Sequence, residues 1–145
     1  MIMKVPSYTL VDHTADLGIQ IQAPNLEELF INAGIVLMDL LLKRKTWIQN
    51  KSPEPVTITL NGIDIEDLMV RWLGEILYIF EAEQRVVLAI NIETLNQKEL
   101  KAQLTTIPFD DRSYEINHEI KAITYHQIKV APKGKVWEAR VIFDL

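Results

Sequence analysis

The sequence predicts an α+β fold, a two-layer sandwich in which a mixed or antiparallel β-sheet packs against two main helices. Two long segments carry apolar side chains at helical spacing, and groups of alternating or β-branched residues stand on either side of them. The chain has 145 residues, of which 48% are hydrophobic, and its composition does not shift along its length. A single domain spanning residues 1–145 is therefore expected.

The first two strands flank a short acidic bend. Residues 8–11 predict a short strand, and residues 17–23 alternate apolar and polar side chains as in a half-buried strand. Between them the chain reads Asp12-His13-Thr14-Ala15-Asp16. The bend therefore presents two carboxylates in close succession.

Both helices begin with capping residues. Asn25 is a suitable N-cap with Glu28 at the capping-box position, and Asp64 can cap the second helix after an Asn61-Gly62 turn. The apolar stripes comprise Leu26, Leu29, Phe30, Ala33, Val36, Leu37, Leu40 and Leu41 in the first helix, and Ile65, Leu68, Met69, Trp72, Leu73, Ile76, Leu77 and Phe80 in the second. The first helix is expected to end near the basic residues 43–45, because cations favour a helix C-terminus.

The second helix contains two residues that its apolar stripe does not explain. A glycine in a helix costs about 1 kcal/mol relative to alanine, so Gly74 indicates either close packing or a tolerated defect. Glu75 lies off the stripe. It could face a functional site, or it could pair with Arg71 one turn earlier.

The remaining segments favour strands over residues 56–60, 86–93, 99–107, 120–130 and 136–145. The last is the clearest, because its apolar residues alternate to the end of the sequence. In a strand over 120–130, His126 would share a face with Ile120, Ala122, Ile128 and Val130. A hydrogen-bonded core histidine is the favoured interpretation there, with a ligand or acid–base group as the alternative.

Composition excludes several classes of function. The net charge of -5 argues against a phosphate-binding surface, so direct RNA binding is not expected. This charge suits binding to a basic partner or to a cation. There are no cysteines, which excludes disulfides and thiolate chemistry. No segment resembles a signal peptide or the roughly 20 apolar residues of a membrane span. We expect a cytoplasmic protein with no membrane partner.

Acidic groups near both ends of the sequence could form one metal site. Oxygen ligands that converge from a bend suit Ca²⁺, which takes roughly six to eight of them, but Asp12 and Asp16 could instead accept backbone hydrogen bonds in a turn. At the other end, the Asp144 carboxylate adjoins the α-carboxylate of Leu145. If folding brings the two regions together, a cation would relieve their repulsion. The alternative is a solvated C-terminus.

Five segments, in order along nearly the whole chain, resemble the archease family. They are Asp-His-Thr-Ala-Asp-Leu-Gly at 12–18, Leu-Glu-Glu-Leu-Phe-Ile-Asn-Ala-Gly at 26–34, Gly-Glu-Ile-Leu-Tyr-Ile-Phe-Glu-Ala-Glu at 74–83, Glu-Ile-Lys-Ala-Ile-Thr-Tyr-His at 119–126 and Val-Ile-Phe-Asp-Leu at 141–145. Residues 86–117 are less distinctive. The sequence departs from the family pattern at Gln127, where glycine is expected, and at Lys129, where an acidic residue is common.

The resemblance implies an accessory protein that is not itself an enzyme. Archeases act with an RtcB-type RNA ligase, which joins tRNA halves after intron removal and is guanylylated on a histidine in a reaction that needs GTP and metal. They promote guanylylation and multiple turnover. The family binds a divalent cation, which is Ca²⁺ in known structures, with Mg²⁺ or Mn²⁺ as alternatives.

The resemblance also assigns residues. Asp16 and Asp144 would supply carboxylates, Leu145 a main-chain or terminal oxygen, and Asp12 a direct or indirect ligand. The face that meets the partner would carry Glu75, His13, Lys121 and His126.

Two other functions stay open on the residues alone. A metal-dependent hydrolase could use the carboxylates of Asp12 and Asp16, although the sequence lacks a glycine-rich phosphate loop, a nucleophile elbow and an H-E-x-x-H pair. A general chaperone or an RNA-binding modulator is the third possibility, and the negative net charge argues against its RNA-binding form.

Overall fold

The structure is a computed structural model that describes residues 2–13, 16–45 and 51–145, and of Asp12 and His13 it describes the backbone alone. Within these residues the chain forms two helices and ten strands. Their order is β1 (Thr9–His13), β2 (Asp16–Ala23), α1 (Leu26–Leu41), β3 (Leu42–Arg44), β4 (Glu54–Asn61), α2 (Ile65–Glu81), β5 (Arg85–Leu95), β6 (Glu99–Pro108), β7 (Tyr114–Ile116), β8 (Ala122–Ile123), β9 (Lys129–Lys133) and β10 (Val136–Asp144).

The strands form three sheets, and every strand pair among the described residues is antiparallel. The largest sheet has the order β1-β2-β10-β8, and β9 also pairs with β10. A second sheet has the order β4-β6-β5, and a third consists of β3 and β7. The prediction of an α+β fold with two main helices is therefore confirmed, with the strands divided among three sheets.

The α1 helix lies between sheets and packs against β2, β5, β10 and α2. Its N-cap is Asn25, whose Oδ1 accepts a hydrogen bond from the Glu28 amide at 2.9 Å, as the capping-box spacing predicts. The indole Nε1 of Trp72 in α2 donates to the Phe30 carbonyl at 2.8 Å, so this buried tryptophan also satisfies its polar atom. The two apolar stripes therefore meet in one core.

The predicted end of the first helix is wrong. The α1 helix ends at Leu41, and Leu42 has an extended backbone with φ -132° and ψ 138°. Residues Leu42–Arg44 instead form β3, which pairs with β7. Strand pairing satisfies the backbone polar groups of these residues, so Lys43 and Arg44 extend from a strand and do not cap a helix dipole.

The single strand predicted over 120–130 is also wrong. It divides into β8 and β9, with a turn between them in which Gln127 has φ 53°. That left-handed conformation favours glycine, which agrees with the family pattern from which Gln127 departs. His126 is exposed in this turn, so it does not lie in the core.

No helix in the described ranges is both long enough and apolar enough to cross a bilayer.

The face of the largest sheet that points away from the core carries a buried carboxylate. Glu138 in β10 is 3% exposed. Its Oε2 accepts hydrogen bonds from Nε2 of Gln22 and Gln20, each at 3.0 Å, and from Nζ of Lys133 at 3.2 Å. The hydrogen bonds from Gln22 and Gln20, followed by the contact with Lys133, lower the pKa of Glu138 to about 2. This network joins β2, β9 and β10 on the outer face.

The variant Glu138→Gln should have a flatter dependence of stability on acid pH. The pKa of Glu138 in the folded protein is about 2, below its ordinary value of 4.5. Ionised Glu138 therefore stabilises the fold fully at pH values above about 4.5. The stabilisation is lost as the pH falls through the folded pKa. Urea unfolding from about pH 6 to about pH 2 should therefore show the free energies of wild type and variant converging in acid.

The matched control is Glu99→Gln, because Glu99 is exposed and its side chain makes no hydrogen bond or ion pair among the described residues. This control should follow the wild-type profile. A difference between wild type and Glu138→Gln that stays constant over the whole pH range would contradict the assignment.

Candidate metal site

The two carboxylates predicted to bind a cation lie directly opposite each other. Asp16 is the first residue of β2 and Asp144 the last of β10, and the two are paired in the antiparallel ladder. Directly paired residues project from the same face of a sheet, with Cβ atoms about 5 Å apart. The fold therefore brings together two aspartates that are far apart in the sequence.

Buried neighbours fix this end of the sheet. Leu17 pairs with Phe143 in the next position of the ladder, and both side chains are buried in the core. A one-residue shift of β10 against β2 would move Phe143 out of the core, so apolar burial determines the register that opposes Asp16 to Asp144. The aspartates themselves remain accessible, since Asp144 is exposed and Asp16 is partly exposed.

The segment around β8 holds the end of β10 from the other side. The Lys121 amide donates to the Asp144 carbonyl at 2.8 Å, and the Thr124 amide donates to the Ile142 carbonyl at 3.0 Å. The Thr124 hydroxyl donates to the same Ile142 carbonyl at 2.9 Å. Main-chain hydrogen bonds thus leave the Asp144 carboxylate free while its backbone is fixed.

A side-chain contact with α2 anchors this segment in turn. The hydroxyl of Tyr125 donates to Oδ1 of Asp67 at 2.5 Å, while Oδ2 accepts from Nε of Arg71 and from the Ile63 amide, each at 2.9 Å. Asp67 is 7% exposed. The hydrogen bond from Tyr125, then that from Ile63, then the contacts with Arg71, lower the pKa of Asp67 to about 2. The buried carboxylate therefore stays ionised and holds the turn after β8 against the start of α2.

Opposed carboxylates are unusual in a sheet, because like charges directly opposite each other are destabilising. A bound cation removes that repulsion, and carboxylate oxygens are the ligands that Ca²⁺ and Mg²⁺ prefer. Within the described residues no three Asp, Glu or His side chains form a ligand set. The pair fits a hard cation whose other ligands are main-chain oxygens or water.

The remaining predicted site residues fall into four places. Thr14 and Ala15 of the bend lie outside the described residues, as do the side chains of Asp12 and His13; in the backbone register His13 pairs with Asp16, and Asp12 pairs with Leu17. Leu145 and Lys121 adjoin Asp144, at the same end of the sheet. His126 lies in the turn after β8. Glu75 lies on α2, which is not part of the sheet that carries the paired aspartates. The ligand roles and the partner face stay predictions.

Asp67 and Tyr125 are two positioning residues that the sequence did not reveal. Asp67 stands three residues after the N-cap Asp64 and its amide bonds to that cap, which is the only local signal. Its partner Tyr125 is 58 residues distant. A contact at that separation leaves no trace in periodicity or spacing.

A cavity lined by other parts of the described structure lies away from the paired aspartates. It has a volume of about 470 Å³ and is lined mainly by apolar side chains of α1, β5 and the first residues, among them Ile2, Met38 and Val87. It contains neither Asp16 nor Asp144. The candidate site therefore lies outside this cavity, at a sheet end where Asp144 is exposed and Asp16 is partly exposed.

Comparisons with known proteins agree on one family. Residues 8–145 match the model of the Archease protein family (MTH1598/TM1083). The chain is 30% identical to the protein archease of Methanosarcina barkeri over 95% of each chain, and 32% identical to that of Pyrococcus furiosus over 92% of this chain and 95% of the relative.

Two solved structures share the fold at 26% identity. The solution structure of protein 1598 from Methanobacterium thermoautotrophicum has a TM-score of 0.70 and covers 95% of this chain and 98% of that chain. A crystal structure from Thermotoga maritima, described as an archease and possible chaperone, has a TM-score of 0.63 and covers 99% of this chain and 98% of that chain.

The variant Asp144→Asn should stabilise the metal-free protein and abolish its response to Ca²⁺. Without metal, removing one of two opposed charges should raise the free energy of unfolding by about 0.5 kcal/mol. Wild type should gain about 2.7 kcal/mol when Ca²⁺ is present at about 100 times its Kd. Thermal unfolding in chelator and in Ca²⁺ measures both effects, with Glu99→Gln as the control that keeps the wild-type response. An undiminished Ca²⁺ response in Asp144→Asn would place the cation elsewhere.

Proposed function

The chain belongs to the archease family, and from that premise we propose that it activates an RtcB-type tRNA-splicing RNA ligase in the cytoplasm. In this role it promotes guanylylation of the ligase and allows multiple turnover. The observation that carries the proposal is the opposed pair Asp16 and Asp144 at an open end of the largest sheet. These are the two carboxylates that the family resemblance assigns to the metal site.

The proposed cation site uses Asp16, Asp144 and a main-chain oxygen of Leu145, with Asp12 as a further candidate. When bound, a divalent cation would supply positive charge at an otherwise anionic surface and offer open coordination positions to a partner's oxygen atoms. Ca²⁺ is the first choice for such oxygen ligands, and Mg²⁺ or Mn²⁺ are alternatives. The chain's own contribution is to hold the two carboxylates in register through the buried pair Leu17 and Phe143.

An activator need not perform chemistry itself. It accelerates its partner if it binds the reactive conformation of the partner more tightly than the resting one. A site at an open sheet end can reach into a partner's active-site mouth, which an enclosed pocket could not do. Lys121 adjoins the site and is exposed, while His126 is exposed in the turn that Tyr125 holds in place. Together with His13 and Glu75, these residues are the proposed partner face.

A general chaperone is the second candidate, because the related Thermotoga maritima protein is described as a possible chaperone. The two functions differ in specificity. A chaperone would suppress aggregation of unrelated clients, and that activity would not depend on the paired aspartates. A ligase activator would act on its cognate ligase alone and would require them.

Asp16→Ala and Asp144→Ala should each reduce the ligase to about a single turnover while leaving the fold intact. Both side chains project from a sheet end that is open to solvent, so truncation creates no cavity in the core. The assay adds each variant to the cognate ligase under limiting GTP and counts joined RNA products per ligase. Glu99→Ala is the control and should activate as well as wild type.

Full multiple turnover with a folded Asp144→Ala protein would contradict the proposal. Hydrolysis of a phosphoester panel by the isolated protein, lost in Asp16→Ala, would favour a metal-dependent hydrolase instead. Equal protection of unrelated clients by wild type and both variants would favour the chaperone.

A further inference from the structure

The solvent-facing side of α2 contains a partly exposed glycine, Gly74, that packing does not require. A Cβ atom added to Gly74 would meet no other atom within 4 Å, so close packing inside the protein does not explain it. Glycine nevertheless weakens a helix relative to alanine. Residues that lower stability without improving packing are expected at functional surfaces.

The neighbours of Gly74 on this face form a defined surface. Arg71 and Tyr78 lie about one turn before and after Gly74, Glu75 follows it directly, and Glu81 lies about two turns further on, on the same side of the helix. Tyr78 is 56% exposed, so its ring is accessible to a partner. We call these five residues the α2 face.

The charges of the α2 face are unevenly satisfied. The sequence allows Glu75 to pair with Arg71, but Arg71 instead donates to Asp67 at 2.9 Å. Within the described residues, the side chains of Glu75 and Glu81 make no hydrogen bond or ion pair. The α2 face therefore presents two uncompensated carboxylates on either side of an exposed tyrosine.

We propose that the α2 face docks a basic segment of the ligase, whose backbone approaches the helix closely at Gly74. This inference rests on the proposed function above. A ligase that binds RNA must carry basic surfaces, and they complement both Glu75 and Glu81 and the net charge of -5. The ring of Tyr78 offers a face on which a lysine or arginine can lie. The α2 face would then bind the ligase while the paired aspartates contact the ligase's active site.

Two substitutions at Gly74 separate docking from stability. Gly74→Ala has room for its methyl group and should raise the Tm of the free protein by about 2–4 °C, because it removes a helix-weakening residue. The same methyl group obstructs close approach and should weaken ligase binding several-fold. Gly74→Gln fills the gap with a longer polar side chain and should weaken binding by about tenfold or more.

A charge reversal tests the second element of the surface. Glu75→Lys should weaken binding by about tenfold or more and make the Kd less sensitive to salt, because it places like charges together. Glu99→Lys is the matched control. It makes the same change of net charge at an exposed position in the middle strand of the β4-β6-β5 sheet.

The experiment measures the Kd of the purified cognate ligase for wild type and all four variants at two salt concentrations, alongside the Tm of each free protein. The proposal expects Gly74→Ala to be more stable and to bind more weakly, with Glu99→Lys binding like wild type. If wild type binds and Gly74→Gln and Glu75→Lys match Glu99→Lys, the α2 face is not the docking surface and Glu75 is not part of the partner face, while the proposed activation through Asp16 and Asp144 still stands. If wild type does not bind the ligase, the proposed function fails and the docking inference fails with it.

Discussion

The antiparallel pairing of β2 with β10 is the interaction on which the rest of the structure depends. It joins residues 16–23 to residues 136–144, provides the centre of the largest sheet and forms one wall of the core against α1. Its inner face is apolar and buried, and its outer face holds the Glu138 network. Because both faces specify one register, the opposition of Asp16 to Asp144 follows from packing.

The stability of that pairing permits an unfavourable feature at its end. Two like charges placed opposite each other cost stability, and the large buried surface of β2 and β10 offsets that cost. The second support comes from the β8 segment, which bonds to the backbone of Ile142 and Asp144 and is itself held by Tyr125 on Asp67. The backbone at the site is thus held by residues that do not belong to it, which is the arrangement that a precise binding site requires.

Local signals in the sequence predicted the elements and failed on their connections. The caps at Asn25 and Asp64 and both apolar stripes are present as the spacing indicates, because capping and periodicity act within a few residues. The sequence does not predict the end of α1, because that end is set by pairing of β3 with the distant strand β7. It does not predict the turn at Gln127 either, because glutamine gives no local signal for a left-handed backbone.

The candidate site shows the same division. Periodicity alone is compatible with Asp16 in a turn and Asp144 at a solvated C-terminus. The family resemblance is what assigns both residues to one metal site. The strand register shows that they are neighbours. No local pattern predicts the contact between Asp67 and Tyr125, which are 58 residues apart in the sequence. No local pattern predicts the open space beside Gly74 either.

The central claim is that Asp16 and Asp144 share one cation, and paramagnetic broadening tests it most directly. Titration of isotope-labelled protein with Mn²⁺ should first broaden the amide resonances of Asp16, Asp144 and Lys121. Resonances of the distant sheet formed by β4, β6 and β5 should stay sharp, and excess Ca²⁺ should restore the broadened signals. Broadening centred on another surface, or no selective broadening at all, would contradict the account.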